Sequence, residues 1–198
     1  MSNKQLLREW IALDYKPELI KESREKNGGK LIMQGIIQKC DTENQNKRIY
    51  PEDILRREIE NYQKAVRENR AVGELDHPES SSVSLKNVSH VIREMWWDGK
   101  NVMGRVEILP TPQGKVLESI VDAGVTIGIS SRGVGSTEKG RGGFDVVQQD
   151  FQLICFDIVS EPSTPGAYLF GESKQYSPTV NFSKADRIFR ALNDIVRK

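Results

Sequence analysis

Short apolar runs separated by polar turns run through most of this chain, a pattern that predicts more strands than helices. Residues 31–37 form one such run, rich in β-formers, and predict a buried strand. A 3.6-residue apolar period predicts a helix over residues 51–69, with Pro51 at a position where its missing N–H has no partner to lose. Residues 83–97 and 101–109 flank Asp98-Gly99, a turn pair that predicts a hairpin.

The second half adds another helix and further strands. Thr111-Pro112 predicts a helix start and Gly124 its end. We expect a strand over residues 125–131, and a strand pair or one bent strand over 144–159. Residues 183–197 predict an amphipathic helix. A short helix near the start is predicted from the spacing of Leu6, Leu7, Trp10 and Ile11.

With strands in the majority and no repeated βαβ unit, the pattern predicts an α+β fold, mainly β. We expect a closed or strongly curved β-barrel flanked by two or three helices. The length of 198 residues suits one domain.

Composition narrows the function classes. With 37% hydrophobic and 29% charged residues, and without an apolar run of about 20 residues, we expect no membrane association and no secretory signal. The net charge of +1 gives no reason to expect nucleic-acid binding. Residues 173–198 carry a net charge of +4, which indicates a solvated helix face or a docking segment for an acidic partner. Cys40 and Cys155 are expected to be unpaired core residues in a reducing setting.

Two segments carry candidate chemistry, Gly73-Glu74-Leu75-Asp76-His77-Pro78 and Gly128-Ile129-Ser130-Ser131-Arg132-Gly133. A serine hydroxyl becomes a nucleophile when a base takes its proton, and histidine is the usual base near neutral pH. Adjacent strand residues point to opposite faces, so only one of the two serines can face a histidine. The residues alone leave that choice open. They also leave open that the glycines merely shape a barrel corner.

A third candidate is Asp157, a carboxylate inside an apolar strand. A buried charge needs a partner, and either an imidazole N–H or an arginine would provide one. His90, which alternates with apolar residues, has the pattern of an ordinary strand histidine. Two histidines with scattered carboxylates are too few for a metal-dependent hydrolase, so no metal ligand is expected.

Six motifs in order and spacing resemble the prohead core protease family of T-even-type tailed phages. The resemblance covers about residues 30–167. The family is similar in fold to the herpesvirus assembly proteases, which are β-barrels surrounded by helices. Besides the two segments above, the motifs are Asn46-Lys47-Arg48-Ile49-Tyr50-Pro51, Met95-Trp96-Trp97, Gly104-Arg105 and Asp157-Ile158-Val159-Ser160-Glu161-Pro162-Ser163.

The resemblance implies roles for individual residues. The family's histidine falls on His77 and its nucleophile on Ser130. Asp157 is the implied third member of the triad, with Glu74 as the alternative, while Asp76 lies at a position that varies between relatives. Oxyanion donors are expected among backbone N–H groups near Arg132 and Gly133, or in the loop after Asp157. Arg132 is also the nearest candidate for holding a substrate glutamate, with bracing of its own loop as the equal alternative.

The resemblance further implies a serine endopeptidase that works without a cofactor inside the prohead, in the host cell cytoplasm. Its expected substrates are the scaffold core proteins, the major capsid protein and the protease itself, cut after glutamate in an aliphatic-x-Glu context before a small residue. Assembly into a homo-oligomer is left open. A non-catalytic capsid or scaffold component with the same fold is the alternative.

One sequence of this kind, Ile20-Lys21-Glu22-Ser23, lies near the start of the expected domain, and Phe170-Gly171-Glu172-Ser173, in which phenylalanine replaces the aliphatic residue, lies near its end. Cuts at Glu22-Ser23 and Glu172-Ser173 would divide the chain into a propeptide of residues 1–22, a protease domain of residues 23–172 and a basic segment of residues 173–198 that is removed on activation. Residues 116–119 also match, but they lie in a predicted helix and should be protected.

Overall fold

A computed structural model describes residues 5–8, 17–78, 80–160, 164, 167 and 169–171. Within these residues the chain forms three α-helices, α1 (Pro17–Lys26), α2 (Glu52–Arg67) and α3 (Pro112–Asp122). Its strands are β1 (Gln5–Arg8), β2 (Ile32–Lys39), β3 (Arg48–Ile49), β4 (Val72–Glu74), β5 (Val88–Asp98), β6 (Asn101–Ile108), β7 (Gly128–Gly135), β8 (Thr137–Lys139), β9 (Asp145–Val147), β10 (Gln152–Val159) and β11 (Phe170–Gly171). The fold is α+β and mainly β, which confirms the predicted class.

The strands form three sheets. Their orders are β11-β2-β6-β5-β4, β1-β7-β10 and β3-β9-β8. One isolated parallel bridge, between Leu75 and Ile158, links the end of β4 to β10. A single bridge does not continue the hydrogen-bond ladder of the five-stranded sheet into the β1-β7-β10 sheet. In the described part of the chain the sheets are therefore not closed, and the expected closed barrel is wrong. Four register shifts, such as the one between Gly73 and Glu74, curve the strands without closing them.

The core lies between the five-stranded sheet, the β1-β7-β10 sheet and the helices. The apolar stripe of α2 is buried, and Tyr62 makes an edge-to-face contact with Phe156 of β10, with ring centroids 5.7 Å apart. Helix α3 begins as predicted, since the hydroxyl of Thr111 accepts a hydrogen bond from the Gly114 amide at 3.0 Å. The β5–β6 hairpin also forms as predicted at Asp98-Gly99.

The N-terminal prediction is wrong. Residues 5–8 form strand β1, which pairs antiparallel with β7, and not a helix. Strand β1 obtains its hydrogen bonds from β7, which lies far along the chain. The local helical spacing of residues 6–11 therefore does not decide the structure of residues 5–8. The first helix among the described residues is α1, which the polar composition of residues 17–26 did not predict. Arg24 attaches α1 to α3 through Asp122 at 2.7 Å and Glu118 at 2.8 Å.

Part of one prediction and the whole of another fall outside the described residues: Trp10 and Ile11 of the N-terminal stripe, and the helix over residues 183–197. None of the described helices is both long enough and apolar enough to cross a bilayer.

Candidate active site

Ser130 and Asp157 meet because two strands pair in a particular register. In the antiparallel pair of β7 and β10, Asp157 lies directly opposite Ser130. Residues directly opposite each other in such a pair project from the same face. The serine predicted as nucleophile and the carboxylate predicted as third member therefore share one face, and Ser131 projects from the other.

His77 reaches this face through the turn that follows β4. The amide of Asp76 donates to the carbonyl of Ile158 at 2.8 Å, which fastens the turn to β10 beside Asp157. Asp76 itself has a φ of 65°, a left-handed conformation that aspartate tolerates better than most residues. The turn carries the imidazole over the Ser130–Asp157 pair.

Three side chains then form a continuous hydrogen-bonded series. Nε2 of His77 lies 2.7 Å from Oγ of Ser130, and Nδ1 of His77 lies 2.8 Å from Oδ2 of Asp157. Ser130 and Asp157 are fully buried, and the side chain of His77 is 9% exposed. Since the carboxylate accepts from Nδ1–H, Nε2 is free to accept the serine proton. Hydroxyl, imidazole and carboxylate in this order are the group that serine hydrolases use for acyl transfer.

Asp157 is held in its ionised form by its neighbours. Burial alone would raise the pKa of Asp157, but the hydrogen bond from His77, the charge of Arg132 and the amide of Glu74 outweigh burial and lower it. The Glu74 amide donates to Oδ1 at 3.0 Å, and the Cys155 thiol donates to the same oxygen at 3.3 Å. The carboxylate is therefore a fixed hydrogen-bond acceptor for the imidazole.

Arg132 is enclosed behind the triad and does not face solvent. Its side chain is fully buried, and Nη2 donates to Oε1 of Glu74 at 2.9 Å and to Oδ1 of Asp157 at 3.2 Å. Nε lies 2.8 Å from Oδ2 of Asp157, an ion-pair contact without hydrogen-bond alignment. Nη1 donates to the backbone carbonyl of Ser80 at 2.7 Å. With these partners Arg132 is not open to a substrate side chain.

Glu74, the alternative third member, points away from the imidazole. Its carboxylate accepts from Arg132, from the Ser84 amide at 2.9 Å and from the Asn87 side chain at 3.0 Å. His77 Nδ1 is bonded to Asp157 and not to Glu74.

Gly133, the other oxyanion candidate, has cross-strand partners on both sides, Leu7 of β1 and Leu153 of β10. A side chain at this position would collide with the ring of Phe151 and with the carbonyl of Gln152, at 2.5 and 2.6 Å. Close packing therefore requires a glycine here, whatever its amide does.

A polar contact behind β7 was not predicted from the sequence. Nε2 of Gln38, on β2, donates to Oγ of Ser131 at 2.7 Å, and Oε1 of Gln38 accepts from the hydroxyl of Thr164 at 2.9 Å. This connects the back of the nucleophile strand with the chain that follows β10. One signal was available: a glutamine within an otherwise buried strand needs polar partners.

The predicted cleavage positions lie in different surroundings. Glu22 is exposed on α1, but Ser23 is fully buried, and its hydroxyl donates to the Ile32 carbonyl at 2.6 Å and accepts from the Ile32 amide at 3.0 Å. Glu172 and Ser173 lie outside the described residues. Residues 116–119 lie within α3, the helix expected to protect them.

His90 is a buried strand residue, as its pattern indicated. It contacts the Ser89 hydroxyl at 2.9 Å and the Phe156 carbonyl at 3.0 Å, and burial lowers its pKa to about 4. Within the described residues, Cys40, Asp41 and Glu52 lie close enough together to share a metal ion. However, the Lys100 ammonium group already lies 3.3 Å from the Asp41 carboxylate.

Comparisons with known proteins agree with the class that this site defines. The family model for prohead core protein serine protease matches residues 11–176. The prohead core protein protease of Enterobacteria phage T4 is 32% identical over 173 residues, which cover 85% of this chain and 82% of the relative. The solved structure of the bacteriophage T4 capsid assembly protease superimposes with a TM-score of 0.69 at 31% identity, covering 81% of this chain and 99% of that one.

The fold and these comparisons place the chain among the proteases of the phage prohead. The chain belongs to the prohead core protein serine protease family.

Proposed function

We propose that this protein is a serine endopeptidase of phage prohead maturation, with Ser130 as nucleophile, His77 as general base and acid, and Asp157 as the group that orients His77. One observation carries the proposal: the His77 ring bridges Ser130 and Asp157 through its two nitrogens, at 2.7 and 2.8 Å. Family membership supports the same chemistry.

The reaction follows from this geometry. Nε2 of His77 takes the proton of Ser130 as Oγ attacks the substrate carbonyl, and Asp157 stabilises the imidazolium that forms. Nε2 then protonates the leaving amine, which leaves an acyl group on Oγ. Water attacks the acyl group in the second half, with His77 again as base. Every step uses side chains of the chain itself, so no cofactor is required.

We infer that the substrates are scaffold core proteins, the major capsid protein and the protease itself, inside the prohead in the host cell cytoplasm. The names of the T4 relatives, a prohead core protease and a capsid assembly protease, support these partners. The proposed cut follows glutamate in an aliphatic-x-Glu context. Because Arg132 is saturated with buried partners, it does not receive the substrate glutamate in this conformation.

We propose that this chain is a precursor. Ser130 is fully buried, and β1 lies along the edge of its strand with Arg8 opposite Arg132. An extended peptide substrate binds by adding a strand to such an edge, so β1 occupies a place that a substrate can use. Processing at Glu22-Ser23 and Glu172-Ser173 would release residues 1–22 and 173–198. The cut after Glu22 requires α1 to open first, because Ser23 is bonded to β2.

The alternative, a non-catalytic scaffold component, retains the fold but has no use for the hydrogen-bonded series. A cleavage assay separates the two. A peptide with a Leu-x-Glu-Ala sequence is incubated with wild type, Ser130→Ala and Ser131→Ala, and the chain ends of each protein are read by mass spectrometry. Ser131→Ala is the matched control, since it also removes a serine hydroxyl from β7, but from the face opposite to Ser130.

We expect the wild type and Ser131→Ala to cut the peptide after glutamate and to lose their own ends, whereas Ser130→Ala does neither. Identical peptide cleavage and trimming in all three proteins would defeat the proposal.

A further inference from the structure

Glu74 is a buried carboxylate next to the triad that the proposed mechanism does not use. It lies at the end of β4 and is fully buried. Oε1 accepts from Nη2 of Arg132 and from the Ser84 amide, both at 2.9 Å, and Oε2 accepts from Nδ2 of Asn87 at 3.0 Å. Burying a carboxylate costs free energy, which these donors offset. Because of that cost, we expect Glu74 to contribute to the site as well as to the fold.

Arg132 connects this carboxylate to the triad. The same nitrogen, Nη2, donates to Glu74 at 2.9 Å and to Asp157 at 3.2 Å. Two negative groups therefore share one positive group. Without the negative charge of Glu74, the pair of Arg132 and Asp157 would be neutral overall. With it, the cluster presents a net charge of −1 to the imidazole of His77.

The net charge matters because His77 becomes an imidazolium during the reaction. A negative charge a few ångströms away in a partly buried site stabilises the imidazolium, and a neutral cluster does so far less. Among the neighbouring titratable side chains that the structure describes, none adds a compensating charge. Burial lowers the pKa of His90 to about 4 and raises the pKa of the Cys155 thiol and the Tyr62 hydroxyl, so all three are neutral near pH 7. Asp76 is exposed, and solvent screens its charge.

We propose that Glu74 is a positioning residue of the active site, which holds Arg132 against Asp157 and supplies the excess negative charge that favours the imidazolium of His77. The inference rests on the proposed serine protease function and assigns to Glu74 a part in it other than that of third triad member.

The same carboxylate also fastens the chain after His77. Glu74 bonds to Ser84 and Asn87, and Nη1 of Arg132 donates to the carbonyls of Ser80 at 2.7 Å and Ser82 at 3.3 Å. A test must therefore separate charge from anchoring. Glu74→Gln removes the charge but keeps a side-chain oxygen that accepts from Arg132 and Ser84. The new NH2 group of the glutamine can donate to Asn87, if the Asn87 side-chain amide turns over so that its oxygen faces the glutamine. Asn87→Ala removes an anchor but leaves the charge.

The experiment measures kcat/KM against pH with the Leu-x-Glu-Ala peptide for wild type, Glu74→Gln, Asn87→Ala and Glu60→Gln. Glu60→Gln is the matched control, an exposed carboxylate on α2. For Glu74→Gln we expect the acid limb of the profile to move to lower pH, because a negative charge that favours protonation at the triad has been removed. The plateau should fall by up to about tenfold, since the imidazolium of the transition state loses the same charge.

The controls keep the two roles apart. Asn87→Ala should keep the acid limb in place even if its plateau falls, and Glu60→Gln should match the wild type. An unmoved acid limb in Glu74→Gln, together with a reduced plateau, would mean that Glu74 is only an anchor and would overturn the proposal.

A second variant covers the case in which Glu74→Gln does not fold. Glu74→Asp shortens the anchor but keeps the charge, so its acid limb should stay at the wild-type position while its plateau falls. A displaced limb in Glu74→Asp would count against the proposal. Wild-type activity that is abolished in Ser130→Ala establishes the underlying protease function independently. A failure of that function is thus distinguishable from a failure of this inference.

Discussion

Replacing Asp157 by asparagine probes how the triad carboxylate acts, and the structure fixes how the new amide must sit. Oδ1 accepts hydrogen bonds from the Glu74 amide, from Arg132 and from Cys155, whereas Oδ2 accepts from Nδ1 of His77 and lies 2.8 Å from Nε of Arg132 without hydrogen-bond alignment. An NH2 group at the Oδ1 position would meet three donors. The asparagine therefore keeps its oxygen there and turns its NH2 toward His77.

This orientation determines the imidazole tautomer. The NH2 group donates to Nδ1, so the ring proton moves to Nε2, which lies 2.7 Å from Oγ of Ser130. A protonated Nε2 cannot take the serine proton. The same exchange in the worked serine protease template lowers kcat by about 10⁴-fold, which corresponds to about 5 kcal/mol at about 1.4 kcal/mol per factor of ten. We expect a loss of about 10³- to 10⁴-fold here, because the hydrogen-bond geometry is equivalent.

The assay is the initial rate of peptide cleavage at saturating substrate, with far-UV circular dichroism as a check of folding. Asp98→Asn is the matched control: Asp98 is exposed at the hairpin, and Asn-Gly suits that turn as well as Asp-Gly. It should retain wild-type activity. A folded Asp157→Asn protein with a kcat within tenfold of the wild type would refute the assignment of Asp157 to the triad.

Two predictions concern stability. The pKa of Asp157 is lowered in the folded protein, despite the opposing effect of burial. Ionised Asp157 therefore stabilises the fold at pH values above the unfolded pKa of about 3.9. This stabilisation is lost as the pH falls from that value through the lower pKa of the folded state. The Tm of the wild type should consequently drop more between pH 6 and pH 3 than that of Asp157→Asn, and parallel curves for the two proteins would contradict this. Gly73→Ala places a Cβ against the Phe156 carbonyl and the His90 ring, so β4 and β10 must separate; urea unfolding should show a loss of about 3 kcal/mol, and a loss below about 0.5 kcal/mol would contradict the close approach.

Elements with local signals could be predicted from the sequence, and elements that depend on distant partners could not. Pro51, Thr111 and Asp98-Gly99 are signals that act within a few residues, and α2, α3 and the β5–β6 hairpin form where they indicate. Strand β1 exists through its pairing with β7, and its own spacing indicated a helix. Closure of the barrel likewise depends on long-range pairing, which alternation along one strand does not encode.

The candidate site divides in the same way. The motifs that carry the family resemblance indicated His77 and Ser130, but neither periodicity nor composition could choose between Asp157 and Glu74. The register that places Asp157 opposite Ser130 favours Asp157, and this register is a property of the folded sheet. The burial of Arg132 could not be predicted either, because an arginine two positions after the proposed nucleophile gives no sign of the two carboxylates that enclose it.

The most direct test of the central claim is to trap the acyl intermediate. Protein that has completed its own processing is mixed with the Leu-x-Glu-Ala peptide, quenched with acid within the first turnover and analysed by intact and fragment mass spectrometry. We expect a mass increase equal to the acyl half of the peptide, located on Ser130 in the wild type and absent from Ser130→Ala and His77→Ala. Turnover of the peptide by Ser130→Ala, or an acyl group on any other residue, would contradict it.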